Sequence, residues 1–210
     1  MGNELTNIGR QLPETPIHQQ AERIINIEHA GAVTTQNTIF FSSGLPGTPG
    51  YSVKPLSYSR DYYNLIVYGQ DPLPESGHIT LDKSRCLVES GSISPELKAR
   101  FSPLSPEAIA DLKSFLCIVA YENIHYGWTE ETQYAYIAQL TDIKNRSNGI
   151  ELYYRAILAV SQARLNEYAY QFGILGGYRK FNEFNRSHWT VKEIDLMEAL
   201  NDTDLNPMRG

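Results

Sequence analysis

The feature that most constrains this chain is an Asn-Gly step set between two long β-rich runs. Tyr134–Ile143 and Ile150–Ile157 are dense in aromatic and β-branched residues, and Asn145-Arg146-Ser147-Asn148-Gly149 separates them. Asn and Gly both tolerate positive φ, so this segment reads as a β-hairpin turn joining two antiparallel strands. A chain with such a hairpin needs further strands or helices to cover its apolar side. The flanks supply both. Ser94-Pro95-Glu96 and Ser105-Pro106-Glu107 each place an N-cap serine before a proline at the first helical position. The first helix runs to about Arg100. In the second, Ile109, Leu112, Phe115 and Leu116 share one face. Cys117–Tyr121 then reads as a strand, as do Tyr62–Tyr68, stopped by Gly69, and His78–Leu81. After the hairpin, Ser161 caps a helix with Leu165, Tyr168, Ala169 and Phe172 on one face, ended by Gly173. Thr190-Val191-Lys192-Glu193 has capping-box spacing and opens a last helix through Ile194, Met197 and Leu200.

The expected class is therefore α+β. A small antiparallel sheet or barrel-like meander is covered by three to four helices and preceded by an N-terminal β-hairpin arm. The arm spans 1–41, a Gly/Pro linker 42–58 and the α+β domain 59–210. In the arm, Arg23–Glu28 and Ala32–Phe41 have strand character around a His29-Ala30-Gly31 turn. In the linker, Gly44, Gly47 and Gly50 alternate with Pro46, Pro49 and Pro55. A lone hairpin is marginal in water, and an unpaired strand edge is a template for pairing. The arm is thus expected to make homo-oligomer or protein-partner contacts through Ile24, Ile25, Ile27, Val33, Ile39 and Phe40.

Composition narrows the function by exclusion. The 210 residues carry a net charge of −6, with 18 basic residues scattered along the chain, so nothing points to nucleic acid. No apolar run is long enough for a membrane helix and no leader pattern is visible, which gives a cytoplasmic protein as the expectation. The cysteines, Cys86 and Cys117, and the five histidines (His18, His29, His78, His125 and His188) form no ligand-spaced pair, so no metal and no cofactor is expected. Walker, dinucleotide-binding, zincin and serine-hydrolase motifs are absent, and no catalytic residue is assigned.

Two clusters stand out as binding candidates. Asn185, Arg186, His188 and Trp189 combine amide, guanidinium, imidazole and indole donors just ahead of the expected last helix. A helix N-terminus carries unpaired N–H groups and partial positive charge, so this cluster suits an anionic ligand. Tyr121, His125 and Trp128 lie in an aromatic-rich segment between two strands, where an interaction surface is expected.

Two stretches carry a resemblance. Arg23–Val33 resembles short β arms of bacterial accessory proteins from conflict and anti-phage systems, and Phe184–Leu196 resembles a C-terminal signature of uncharacterised proteins of similar setting. The resemblance implies a bacterial accessory component and no particular chemistry. The expectation is a non-enzymatic binding or assembly protein of a multi-protein system. The alternative is a hydrolase or a small anionic-ligand sensor that uses Arg186 and His188.

Overall fold

The structure, a computed structural model, describes residues 38–39, 56–69, 73, 76–87, 93–125, 127–174 and 182–205. The chain divides into two compact units, 1–56 and 57–210. The expected arm strand at 23–28 and most of the one at 32–41 lie outside the described residues, as do Ile24, Ile25, Ile27, Val33 and Phe40. The backbone of Ile39 belongs to β1 (Thr38–Ile39), which pairs with β2 (Leu56–Ser57).

The second unit is built on a mixed six-stranded sheet, confirming the α+β class. Its strands are β3 (Ser59–Tyr68), β4 (Ser76–Leu81), β5 (Phe115–Tyr121), β6 (Tyr134–Arg146), β7 (Gly149–Ser161) and β8 (His188–Lys192). They run in the order β4-β7-β6-β5-β3-β8. The helices are α1 (Pro95–Phe101), α2 (Pro106–Ser114), α3 (Gln162–Glu167) and α4 (Leu196–Asn201). The β6–β7 hairpin is the expected one, closed by Arg146 pairing with Gly149. Ser94 Oγ accepts from Leu97 N and Ser105 Oγ accepts from Ala108 N, so both N-caps stand as read.

Three expectations are corrected. The sheet is not purely antiparallel, because β3 and β5 run parallel, Asn64 opposite Cys117 and Ile66 opposite Val119. Local turn signals reveal only hairpins, whereas a parallel pair forms through a long crossover, here residues 69–114. Second, Phe115 and Leu116 belong to β5 rather than to the helix before it. Third, the segment at Thr190 is not a helix. His188–Lys192 pairs antiparallel with β3, and the last helix begins at Leu196, capped by Asp195.

The sheet curls into a half-barrel, and chain connectivity shows why. Beyond β4, at one edge, the chain turns through the 3-10 segment Lys83–Arg85. At Cys86 it bridges Trp189 of β8, the opposite edge, and Leu87 N donates to Trp189 O at 2.8 Å. A flat sheet of this width would hold its edges roughly 24 Å apart, at about 4.8 Å per strand. The Leu81–Cys86 link spans at most about 18 Å, so the edges must converge.

One sheet face and the helices α1 and α2 enclose a core that includes Ile66, Phe115, Cys117, Val119, Leu112 and Trp189. Within it Asn64 is fully buried and fully used. Its amide donates to Leu112 O at 2.9 Å, and its Oδ1 accepts from Trp189 Nε1 at 3.0 Å. These bonds tie α2 to β3 and β3 to β8. Residues of opposite parity, Tyr63, Leu65 and Val67, are also buried. On their side Tyr63 donates its hydroxyl proton to Phe172 O at 2.5 Å, so the turn after α3 is pinned to the sheet. Cys86 and Cys117 are free and buried, and burial pushes both thiols up to about 12. No helix among the described residues is long and apolar enough to cross a membrane.

Candidate functional site

The two clusters singled out in the sequence meet in space. β5 ends at Tyr121, and the following segment forms a tight turn closed by reciprocal backbone bonds between His125 and Trp128, at 3.2 and 3.1 Å. Gly127 makes the turn possible with φ +66°, a conformation costly for a residue with a Cβ. The rings of His125 and Trp128 stack at 5.8 Å with 23° between planes. Trp128 nevertheless remains 53% exposed.

Asn185 fastens this turn from the other cluster. Its amide donates to His125 O at 2.9 Å and its Oδ1 accepts from Gly127 N at 3.3 Å. Glu122 makes a second tie, accepting from Ser187 N and from Ser187 Oγ, the latter at 2.5 Å. Gly69 leaves room for it, since a Cβ there would stand 2.8 Å from the Glu122 carboxyl.

Beneath the turn lies a knot of amides. Gln162 is fully buried and acts as a substitute strand for Tyr121, accepting from its N at 3.0 Å and donating to its O at 2.8 Å. Asn123 and Asn166 exchange amide bonds, both at 2.9 Å. Asn123 also donates to Asn182 Oδ1 at 3.1 Å, and Asn182 donates to Asn166 Oδ1 at 2.6 Å. Buried polar groups are tolerated when they satisfy each other, and networks of this kind fix a single arrangement. Here the arrangement fixed is the position of the 121–129 segment on α3 and on the 182–187 turn. Tyr121 itself is half-buried, and its hydroxyl accepts from Leu73 N at 2.6 Å.

Between this segment and α3 opens a cleft of about 290 Å³. Gly127, Trp128, Thr129 and Glu131 line one side, and Ala163, Asn166 and Glu167 line the other. Thr129 is only 2% exposed, yet its Oγ1 has no hydrogen-bond partner. Glu167 is paired with Arg164, which also reaches Asp204. The aromatic side of this cleft was readable in the sequence. Thr129, Glu131, Asn166 and Glu167 were missed, because isolated polar residues from distant segments carry no local signal.

The second cluster is otherwise built inward. His188 is 4% exposed, with Nδ1 within 3.0 Å of Arg186 O and Nε2 within 3.2 Å of Glu183 Oε2. Lys192 pairs with the other oxygen of Glu183, and all three side chains are buried. Burial works against the Glu183 carboxylate, but His188 and Lys192 together outweigh it and hold its carboxyl below the usual range. Trp189 is wholly buried in the core, and Arg186 is half-buried at the bend before β8. Arg186 and His188 therefore do not flank a helix N-terminus, since Arg186 precedes β8 and His188 opens it.

No group of His, Cys, Asp and Glu among the described residues could hold a metal ion. No protein-family model, no curated protein and no solved structure matches this chain.

Proposed function

We propose that this chain is a non-enzymatic binding component whose recognition surface is the 121–131 segment and the cleft it forms with α3. One observation carries the reading: an aromatic pair, His125 and Trp128, stands open to solvent while a paired amide network holds its backbone from below. Exposed aromatics on a stiff frame are what binding surfaces use, because little conformational entropy is lost on association. The buried Glu183–His188–Lys192 set fits an internal support for the 182–187 turn better than a reacting centre, since its polar atoms are spent on each other and on Arg186 O. A role as accessory component of a bacterial multi-protein system is the setting that the resemblance of Arg23–Val33 and Phe184–Leu196 implies.

The test is quantitative affinity capture with the full chain as bait in an extract of its own source cells. The wild type is compared with Trp128→Ala and with Glu96→Ala, a change on the exposed start of α1. Capture should fall at least tenfold for Trp128→Ala and stay level for Glu96→Ala, with both variants keeping the wild-type unfolding midpoint. Equal capture by all three would remove the 121–131 surface from consideration. Contacts through residues 1–41 are a separate proposal, tested by native mass spectrometry of the intact chain. A discrete multimer supports self-assembly, and a bare monomer argues against it.

A further inference from the structure

The geometry points to a cationic side chain, arginine or lysine, of a polypeptide partner as the group that enters the cleft between Trp128 and α3. This inference rests on the recognition surface proposed above and adds the chemistry of its occupant. Three independent features of the cleft converge on it.

The first is charge. Among the described residues lining the cleft, the charged ones are Glu131 and Glu167. Glu167 is already bound to a guanidinium, that of Arg164, so Glu131, exposed and in no ion pair among the described residues, is the lining carboxylate left to meet a ligand. An anionic ligand would meet repulsion there. A cation would meet a charge-assisted hydrogen bond, and a guanidinium could make it with two parallel N–H groups.

The second is the aromatic wall. The negative face of an indole attracts cations more strongly than other aromatic faces do. Trp128 is open over half its surface and is held in place by its stack on His125 and by the turn that Asn185 secures.

The third is the Thr129 hydroxyl. It is buried, lines the cleft and has no partner within the protein. A buried polar group left unpaired is costly, so a donor that enters the cleft and uncovers the hydroxyl is rewarded. Guanidinium and ammonium groups bring donors only, and Oγ1 has lone pairs to accept them. The opening, at about 290 Å³, is at the small end for a ligand pocket, which suits a single side chain rather than a whole cofactor.

The test is a titration of the full chain read by tryptophan fluorescence. Trp189 is fully buried, so a probe in the cleft acts on Trp128. The probes are N-acetyl-arginine amide and N-acetyl-lysine amide, their neutral counterpart N-acetyl-norleucine amide, the acidic N-acetyl-glutamate amide, and agmatine as a free cation without a peptide frame. The blocked cationic amino acids should give a saturable change that is absent in Trp128→Phe. It should weaken at least tenfold in Glu131→Gln and several-fold in 0.5 M salt, and the neutral and acidic probes should give none. Thr129→Val should also weaken binding while leaving the unfolding midpoint unchanged or raised, because it removes an unpartnered hydroxyl from a buried place. Saturation by agmatine with none by the blocked amino acids would overturn the polypeptide source. A cationic response unaltered in Glu131→Gln, or a response to neutral or acidic probes alone, would overturn the inference while leaving the recognition surface intact. No response to any probe, with capture still dependent on Trp128, would do the same. Capture independent of Trp128 would instead mean that the surface itself was misassigned.

Discussion

Replacing Glu183 by glutamine should be among the most damaging single changes in the 57–210 unit. The carboxylate is 8% exposed at its side chain and bridges Lys192, equally buried, and His188. Glutamine keeps the volume and one acceptor oxygen, so His188 can retain a partner. The Lys192 ammonium cannot keep its counter-charge, and its side chain is too enclosed to reach water freely. Stranding one charge of a buried pair costs about 3–5 kcal/mol. Against a total stability of about 5–15 kcal/mol, that is a large share. For a unit of this size it corresponds to a fall in Tm of about 6–20 °C. Urea unfolding at pH 7, followed by the emission of buried Trp189, measures the loss. The companion variant is Glu183→Gln with Lys192→Met, which removes the stranded charge and should recover most of it.

The pH dependence follows with a definite sign. Glu183 titrates below its unfolded value of about 4.3. Its contribution is therefore complete above that value and disappears as pH falls through the lowered folded one. Lys192 is held below its ordinary value by burial, which outweighs its single partner. Without Glu183 it should fall further, so the variant's deficit should shrink as alkaline pH neutralises the amine. The reasoning is refuted if Glu183→Gln unfolds within about 0.5 kcal/mol of wild type, the range of surface substitutions. It is also refuted if Lys192→Met brings no recovery.

Other expectations follow from single contacts. Asn64→Ala strands the buried Trp189 indole N–H, whereas the Leu112 carbonyl keeps Phe115 N as a donor, and chemical denaturation should show a loss of about 1–3 kcal/mol, the cost of one stranded group. Gly149→Ala would set a Cβ 2.6 Å from Leu81 O, so it should cost about 1–3 kcal/mol and speed amide exchange across the β4–β7 pairing. Cys86 and Cys117, whose thiols burial raises to about 12, should react with a disulfide reagent at pH 8 only as fast as the protein opens, with full reactivity appearing in denaturant.

What was legible in the sequence was local. Asn148-Gly149 and the two Ser-Pro starts act over a few residues, and the structure keeps the hairpin and both caps, although the turn is Ser147-Asn148 with Asn148 not at positive φ and Gly149 already paired in β7. β8 was missed because its signal is tertiary. His188, Thr190 and Lys192 alternate with Trp189 and Val191 in period two, yet all five are buried, so the polar half of the pattern resembles surface. Thr190 and Glu193 happen to sit at capping-box spacing, but pairing with β3 outweighs a cap, and Asp195 supplies the cap instead. The parallel β3–β5 contact left no trace in either strand alone. The site follows the same division. Aromatic density marked Tyr121, His125 and Trp128, whereas Asn123, Gln162, Asn166 and Asn182 read as scattered polar residues, and only folding makes them partners.

A recognition surface formed in advance requires the 122–129 segment to be stiff, held by a network of buried and half-buried amides before any partner arrives. Backbone 15N relaxation of the free protein tests this most directly. Order parameters of about 0.85 are expected for Asn123, His125, Gly127 and Trp128, equal to those of rigid backbone and reduced in Asn185→Ala. Values below about 0.6 in the wild type, those of a flexible loop, would contradict it.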